Sequence, residues 1–403
     1  HMAIMLFTFL IGGMVGVISR NGGMVGIVDR ITPFAKNPRR GQGVVATLGL
    51  AIFFDDYANT MIVGNATRPM ADRLHISREK LAYLIDATSA PVCVMIPLNA
   101  WGAVIVGLLA SAGVENPLQV FIQAIPLNFY AITAILLAAV VIWKKIDLGP
   151  MKAAEERTRG GLLLWPGAAP IVDMSEQAEG ETETSPPSAA LMIVPIAAMI
   201  LMMPVGLYVT GDGDLIEGSG SKSVLWAVCF AVLVAWGMNL ATGRSTIGQL
   251  MTTFMKGAGS LLPIATILLF ALALGDVARL LGTGAYVAGI VGDQIPDVLL
   301  APMIFLVSAF IAFSVGSSWG TFAIMIPIAV PIAVTLGLST PLLLAAAISG
   351  AIFGDHASPI SDTTVVASMA SATDHIEHVR TQLPYALLAA SIATIAFLLA
   401  GFA

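Results

Sequence analysis

Long uncharged apolar runs recur from residue 2 to the C-terminus of this 403-residue chain, and they decide which solvent it folds in. Runs at 2–18, 43–63, 81–112, 118–143, 190–209 and 223–243 are followed by others at 258–275, 284–316, 321–336, 341–353 and 384–402. Several reach the roughly 20 residues that carry a helix across a hydrocarbon core. Barrel strands would be shorter and would alternate in polarity, so backbone satisfaction in lipid favours helices. Charged residues make up only 11% of the chain and hydrophobic ones 57%, whereas a soluble domain carries about 25% charged residues. The expectation is an all-α, polytopic membrane helical bundle. A nucleic-acid binder, a secreted disulfide scaffold and an ordinary cytoplasmic enzyme are excluded. The net charge of −6 includes no basic tail for a polyanion. Cys93 and Cys229 both lie in apolar runs and read as inert buried thiols.

The run 81–112 contains Asp86, Pro91, Pro97 and Asn99 and is too long for one simple crossing, which predicts a broken or re-entrant helix. Residues 144–189 start basic, turn acidic and end at Pro186-Pro187, as expected of a flexible cytoplasmic linker. The chain then divides into an N-terminal transmembrane repeat (1–143), this linker (144–189), connecting helices (190–256) and a C-terminal transmembrane repeat (257–403). No small-residue cleavage site follows the first run, so no signal peptide is expected, and His1-Met2 reads as a cloning remnant. Of 19 basic residues, 14 lie in the first 159 positions. The positive-inside rule puts 64–80 and 144–159 in the cytoplasm and 211–220 outside. Residues 30–40 carry Arg30, Lys36, Arg39 and Arg40 and break this scheme if 43–63 is a simple crossing. Either that run is re-entrant or the rule fails locally.

The two ends of the chain resemble each other. Phe53–Thr60 falls opposite Phe313–Gly320 at a spacing of 260, and Leu84–Pro91 falls opposite Phe353–Pro359 close to the same spacing. A competing register of 302 pairs Asp72, Arg78, Leu81 and Tyr83 with Asp374, Arg380, Leu383 and Tyr385. Two structural repeats with discontinuous or re-entrant helices are how many secondary transporters build a site near the bilayer midplane.

Asp55 and Asp56 interrupt an apolar run at a cost of roughly 2.5–3.5 kcal/mol per charge on insertion scales, which marks them as functional candidates. Asn59 and Thr60 lie three or four residues on, and together these oxygens suit a small hard cation. The stretch Gly354-Asp-His-Ala-Ser-Pro-Ile-Ser-Asp-Thr-Thr364 sets Asp355, Ser358, Asp362 and Thr363 between apolar runs. Gly354 and Pro359 oppose a continuous helix there, and Ser361 or Asp362 can cap a following one. Ser317, Ser318 and Thr321 add hydroxyls, while Gly316 and Gly320 also suit close packing. Asp86 reads either as part of such a site or as a partner of Lys80 near the interface. Asn99-Ala-Trp101-Gly102 repeats the Trp-Gly pair of Trp319-Gly320. His375 and His378 read as a solvated loop, and His356 beside Ser358 is the one pair a hydrolase could use.

Phe54-Asp-Asp-Tyr-Ala-Asn59, Ile76–Asp86 and Gly354-Asp-His-Ala-Ser-Pro-Ile-Ser-Asp362 resemble the NhaC-type sodium/proton antiporters, as does the glycine-rich stretch Gly12–Gly23. The likeness covers most of the chain outside 144–189. It implies an inverted-repeat carrier in a prokaryotic cell (inner) membrane that exchanges sodium for protons on shared carboxylates. Members of that family extend further at the N-terminus, so this chain is expected to be short there. The alternative is a sodium- or proton-coupled carrier of a small organic carboxylate, with Ser317, Ser318, Thr321 and His356 on the anion. The resemblance implies no enzyme activity and no cofactor: Na+ and H+ are the transported species, the lipid bilayer is the surroundings, no nucleic acid is involved, and a homodimer stays open.

Overall fold

The computed structural model describes residues 2–53, 55–170, 188–213, 219–262 and 295–402, with isolated positions between 263 and 294. Among them the helices are α1 (Met2–Arg20), α2 (Gly23–Ile31), α3 (Pro38–Ala51), α4 (Asp56–Arg73), α5 (Arg78–Ala87), α6 (Ala90–Cys93), α7 (Ala100–Ser111), α8 (Pro117–Ala124) and α9 (Phe129–Lys144). They continue as α10 (Pro150–Arg159), α11 (Ala190–Thr210), α12 (Gly220–Ala241), α13 (Ile247–Ser260), α14 (Leu300–Val315), α15 (Ser318–Leu336), α16 (Thr340–Ala357), α17 (Asp362–Ser371) and α18 (His375–Ala400). Among the described residues six spans are long and apolar enough to cross a bilayer, and α8 with α9 forms a further bent pair. The chain is a multi-pass helical membrane protein. The expected crossing at 258–275 and the polar break at 293–297 fall largely outside the described residues.

A repeat is present, in a register of 262 rather than 260. That spacing separates Asn37 from Leu299, Asp55 from Ser317, Ser77 from Ser339 and Asn99 from Ser361, the residues that precede α3 and α14, α4 and α15, α5 and α16, and α7 and α17. At all of these positions except Leu299 and Ser317 a short polar side chain accepts the N–H three residues on, so those six helices start where their caps stand. The repeated unit covers 37–111 and 299–371, and the 302 register is not followed. Tyr83 and Tyr385 from that register instead stack on one another, ring centroids 4.5 Å apart.

Glycine contacts fix the direction of each unit. Gly41 faces Leu74 and Ile76 just before α5, and Gly49 faces Thr88 just after it, so α3 runs parallel to α5. Gly350 faces Phe305 and Ser308, and Gly354 faces Ala309 and Ala312, so α14 runs parallel to α16. Since α4 and α15 return between these parallel helices, α3–α4 and α14–α15 are helical hairpins. The first enters from the end where Lys80 pairs with Asp147 at 2.7 Å, just beyond α9. The second enters from the opposite end, where Gly401 after α18 packs on Val298 before α14. The run 43–63 is therefore re-entrant, and the basic residues 30–40 share an end with 144–159. The positive-inside rule keeps its consistency.

Two expectations are corrected. Gly354 does not break a helix: α16 runs through it to Ala357, and its missing side chain lets α16 lie on the backbone of α14. Residues 150–159 are not a flexible linker but a docked helix. Arg157 donates to both oxygens of fully buried Glu79 at 2.7 and 2.9 Å and stacks on Trp165. Glu155 accepts from the N–H and hydroxyl of Ser77 at 2.8 and 2.7 Å. The sequence of 144–189 holds too few apolar residues for a core of its own, but α10 needs none, because it borrows partners from the start of α5. The acidic part, 171–187, lies outside the described residues.

Candidate functional site

Four chain breaks meet in the interior: the hairpin tips at 52–55 and 316–317 and the interruptions at 88–99 and 358–361. Side chains tie them in pairs. Asn99 donates to the carbonyls of Phe53 and Cys93 at 3.0 and 2.7 Å, joining the first tip to the first interruption. Ser318 and Ser361 donate to the two oxygens of Asp355, each at 2.5 Å, joining the second tip to the second interruption. Tyr57 donates to Asp362 across the repeats. Trp101 donates to Asp56 Oδ1 at 3.1 Å and packs its ring 4.5 Å from that of Trp319, so the two Trp-Gly pairs noted in the sequence are partners rather than equivalents.

The candidate residues separate into two groups. On α4, Asp56 Oδ2, Asn59 Oδ1 and Thr60 Oγ1 are all buried, and none has a hydrogen-bond partner among the described residues. Positions 56, 59 and 60 share one helical face. The Asn59 amide nitrogen donates to the carbonyls of Gly49 and Thr88 at 2.8 and 3.2 Å, which fixes the amide orientation and leaves its oxygen free. Those carbonyls lie at the C-terminal ends of α3 and α5, where the helix dipoles favour positive charge.

Most of the other candidates are already committed. Asp55 caps α4 by accepting the Ala58 N–H at 2.6 Å. Asp362 holds the Tyr57 hydroxyl and the Thr363 N–H, and Thr363 Oγ1 lies 3.1 Å from Ser361 Oγ. Ser358 donates to the Phe313 carbonyl near the end of α14 and Thr321 to the Ser317 carbonyl one turn back, and the Ser317 side chain makes no cap. No three His, Cys, Asp or Glu side chains converge as a ready-made metal cage among the described residues. The four aspartates thus do not form one ligand set, although Asp56 and Asp362, and Asp355 and Asp362, lie within electrostatic reach of each other.

A second buried polar chain runs behind Asp355. Asp86 accepts from Gln382 at 2.6 Å and Thr364 at 3.2 Å, while Lys80 pairs with Asp147 instead. His356 bonds Tyr130 and the Asp86 carbonyl, each at 3.1 Å, and makes no pair with Ser358. His378 is fully buried between Ser368 and Gln382, not in a solvated loop, because it lies on the first turn of α18 that packs against α17. Sequence reading passed over Gln382, Tyr130 and Ser361 as site residues. Ser361 alone carried a signal, as a cap candidate beside Asp362.

A family model described as the Na+/H+ antiporter family matches residues 92–402. An uncharacterized protein of Haemophilus influenzae is 31% identical over all of this chain and 79% of its own length. A Malate-2H(+)/Na(+)-lactate antiporter of Bacillus subtilis is 37% identical over 32% of this chain and 29% of its own length. The crystal structure of the Alcanivorax borkumensis YdaH transporter, described as having an unusual topology, shares the fold with a TM-score of 0.66 at 14% identity, over 99% of this chain and 85% of that one.

Proposed function

We propose that this chain, which belongs to the Na+/H+ antiporter family and is a secondary transporter of that family, exchanges sodium ions for protons across a prokaryotic cell (inner) membrane. The observation that carries this reading is the trio of bare buried oxygens on α4, Asp56 Oδ2, Asn59 Oδ1 and Thr60 Oγ1. A buried acceptor without a donor costs about 1–3 kcal/mol, more when charged. A small hard cation satisfies carboxylate, amide and hydroxyl oxygens together. A proton on Asp56 is the competing occupant, since one carboxylate cannot serve both fully. Asp355 and Asp362 bind hydroxyls and link the opposed hairpins, so they couple occupancy to the movement of the halves. Alternating exposure of one site to two sides then exchanges the ions.

The partial similarity to a malate and lactate antiporter raises the organic-carboxylate reading. Against it, three of the four groups that would hold an anion, Ser318, Thr321 and His356, already bond Asp355, the Ser317 carbonyl and Tyr130, which leaves Ser317 alone for that role. The deciding experiment uses proteoliposomes with a pH dye inside. Sodium added outside should drive protons out, with potassium or choline doing much less, and Asp56→Asn should abolish the signal in a protein that stays monodisperse. A requirement for added malate or lactate would replace sodium/proton exchange with the carboxylate carrier.

A further inference from the structure

A crevice of about 1180 Å³ opens between α3 and α9. Its mouth carries Arg39, Arg40 and Trp143, its walls are apolar residues of both helices, and its inner end reaches Leu50 and Thr88. The volume exceeds the usual 300–1,000 Å³ of a small-molecule pocket. Among the described residues no acidic side chain lines it. Among the described residues neither guanidinium has an ion-pair or side-chain hydrogen-bond partner. Lys144 sits 4.9 Å over the exposed Trp143 ring, a basic and aromatic pairing typical of the membrane–water interface. From Arg39 to Leu50 the wall descends about 16 Å at 1.5 Å per residue, about half of a ~30 Å hydrocarbon core. A basic mouth at the interface above an apolar slot of that depth is complementary to a phosphate on acyl chains.

We propose that this crevice is a binding site for an anionic phospholipid, with Arg39 and Arg40 holding the phosphate and the acyl chains lying between α3 and α9 down to Leu50. The lipid then braces the outer side of the first hairpin, since the Thr88 carbonyl at the inner end also holds Asn59. The site differs from the ion site in position and in ligand, and it does not depend on which ion is carried.

The test uses the full chain in nanodiscs of phosphatidylcholine containing phosphatidylglycerol, followed by native mass spectrometry of retained lipid. Phosphatidylglycerol should be retained over phosphatidylcholine. With about 1 kcal/mol per basic residue near an anionic lipid, R39Q/R40Q should weaken retention about 30-fold. K152Q/K256Q removes the same charge from exposed positions elsewhere and should leave retention unchanged. Thr47→Trp, on an exposed position of the crevice wall, should block the acyl slot and lower retention with both arginines intact. Brominated phosphatidylglycerol should quench tryptophan fluorescence less in Trp143→Phe. Equal losses in the two charge variants, equal retention of both lipids, no retained lipid, or normal retention in Thr47→Trp would each overturn the site.

Discussion

Asp55 and Ser317, 262 positions apart, hold the same backbone conformation, φ −153° and ψ 124°, each at the tip of a helical hairpin. The repeat reproduces this geometry without reproducing the chemistry. Asp55 caps its helix with a carboxylate and is followed by Asp56, whose second oxygen is bare. Ser317 caps nothing and is followed by Ser318, which donates to Asp355. The first half therefore carries acids on its hairpin as well as Asp86 on α5, whereas the second carries Asp355 and Asp362 and has no acid on its hairpin. A symmetric scaffold with asymmetric charge can hold one cation to one side of the centre.

Asp355 depends on two hydroxyl donors, and their loss should be measurable. Ser318→Ala and Ser361→Ala each remove one charge-assisted bond, with an expected cost of about 1.5–3 kcal/mol. Thermal unfolding in detergent should show both variants destabilised. Asp355→Asn should retain a folded protein and lose exchange more than tenfold. Normal exchange in Asp355→Asn would remove that carboxylate from the transport cycle.

The Arg157–Glu79 pair should behave as a buried ion pair rather than as a surface one. Arg157→Leu leaves Glu79 charged and unpaired in a site with no exposure, an expected loss of about 3–5 kcal/mol. Glu79→Leu combined with Arg157→Leu should recover much of that loss. A double variant as unstable as Arg157→Leu alone would show that α10 is held by other contacts.

The hydrophobic runs made the helical bundle legible, because lipid leaves so few ways to satisfy a backbone. The two interruptions were legible for a similar reason: Pro91, Pro97 and Pro359 cannot lie inside regular helices without cost. Which oxygens stay bare was not legible. Asp55 and Asp56 look alike in sequence, and only the hairpin bend makes one a cap and turns the other inward. Gln382 and His378 were hidden because α18 begins nine residues before its apolar run, and a polar first turn reads as a loop until α17 is seen covering it. The 30–40 loop was ambiguous because sidedness depends on whether α3 and α4 are collinear or folded back, which composition does not encode.

The opposed hairpins predict sidedness. In a protein without native cysteines, single cysteines at positions 36 and 152 should share one side, and one at 212 should lie on the other. An impermeant thiol reagent on intact cells should label 212 and spare 36 and 152 until the membrane is opened. Labelling at 36 with protection at 152 would break the hairpin assignment of α3–α4.

Proton and sodium competition on Asp56 fixes the sign of the pH dependence. If either ion excludes the other, sodium binding must release a proton whenever the site is protonated beforehand. Lowering pH then weakens sodium binding, with apparent Kd rising at most about tenfold per pH unit when one proton competes, by the same linkage that ties proton uptake to any equilibrium. At high pH the dependence should flatten, because no proton remains to be displaced. Calorimetry in buffers of different ionisation enthalpy would count the protons released. Thr60→Val keeps shape but deletes Oγ1, and Asn59→Ala deletes Oδ1 along with the bonds to Gly49 and Thr88. Each should weaken sodium about tenfold or more, from the 1.5–3 kcal/mol of a bond to a charged group, while leaving the sign of the pH effect intact. Thr60→Val isolates the ligand contribution, since that hydroxyl has no bond to lose among the described residues. Sodium affinity independent of pH, or unchanged in Thr60→Val, would place the cation away from this face of α4.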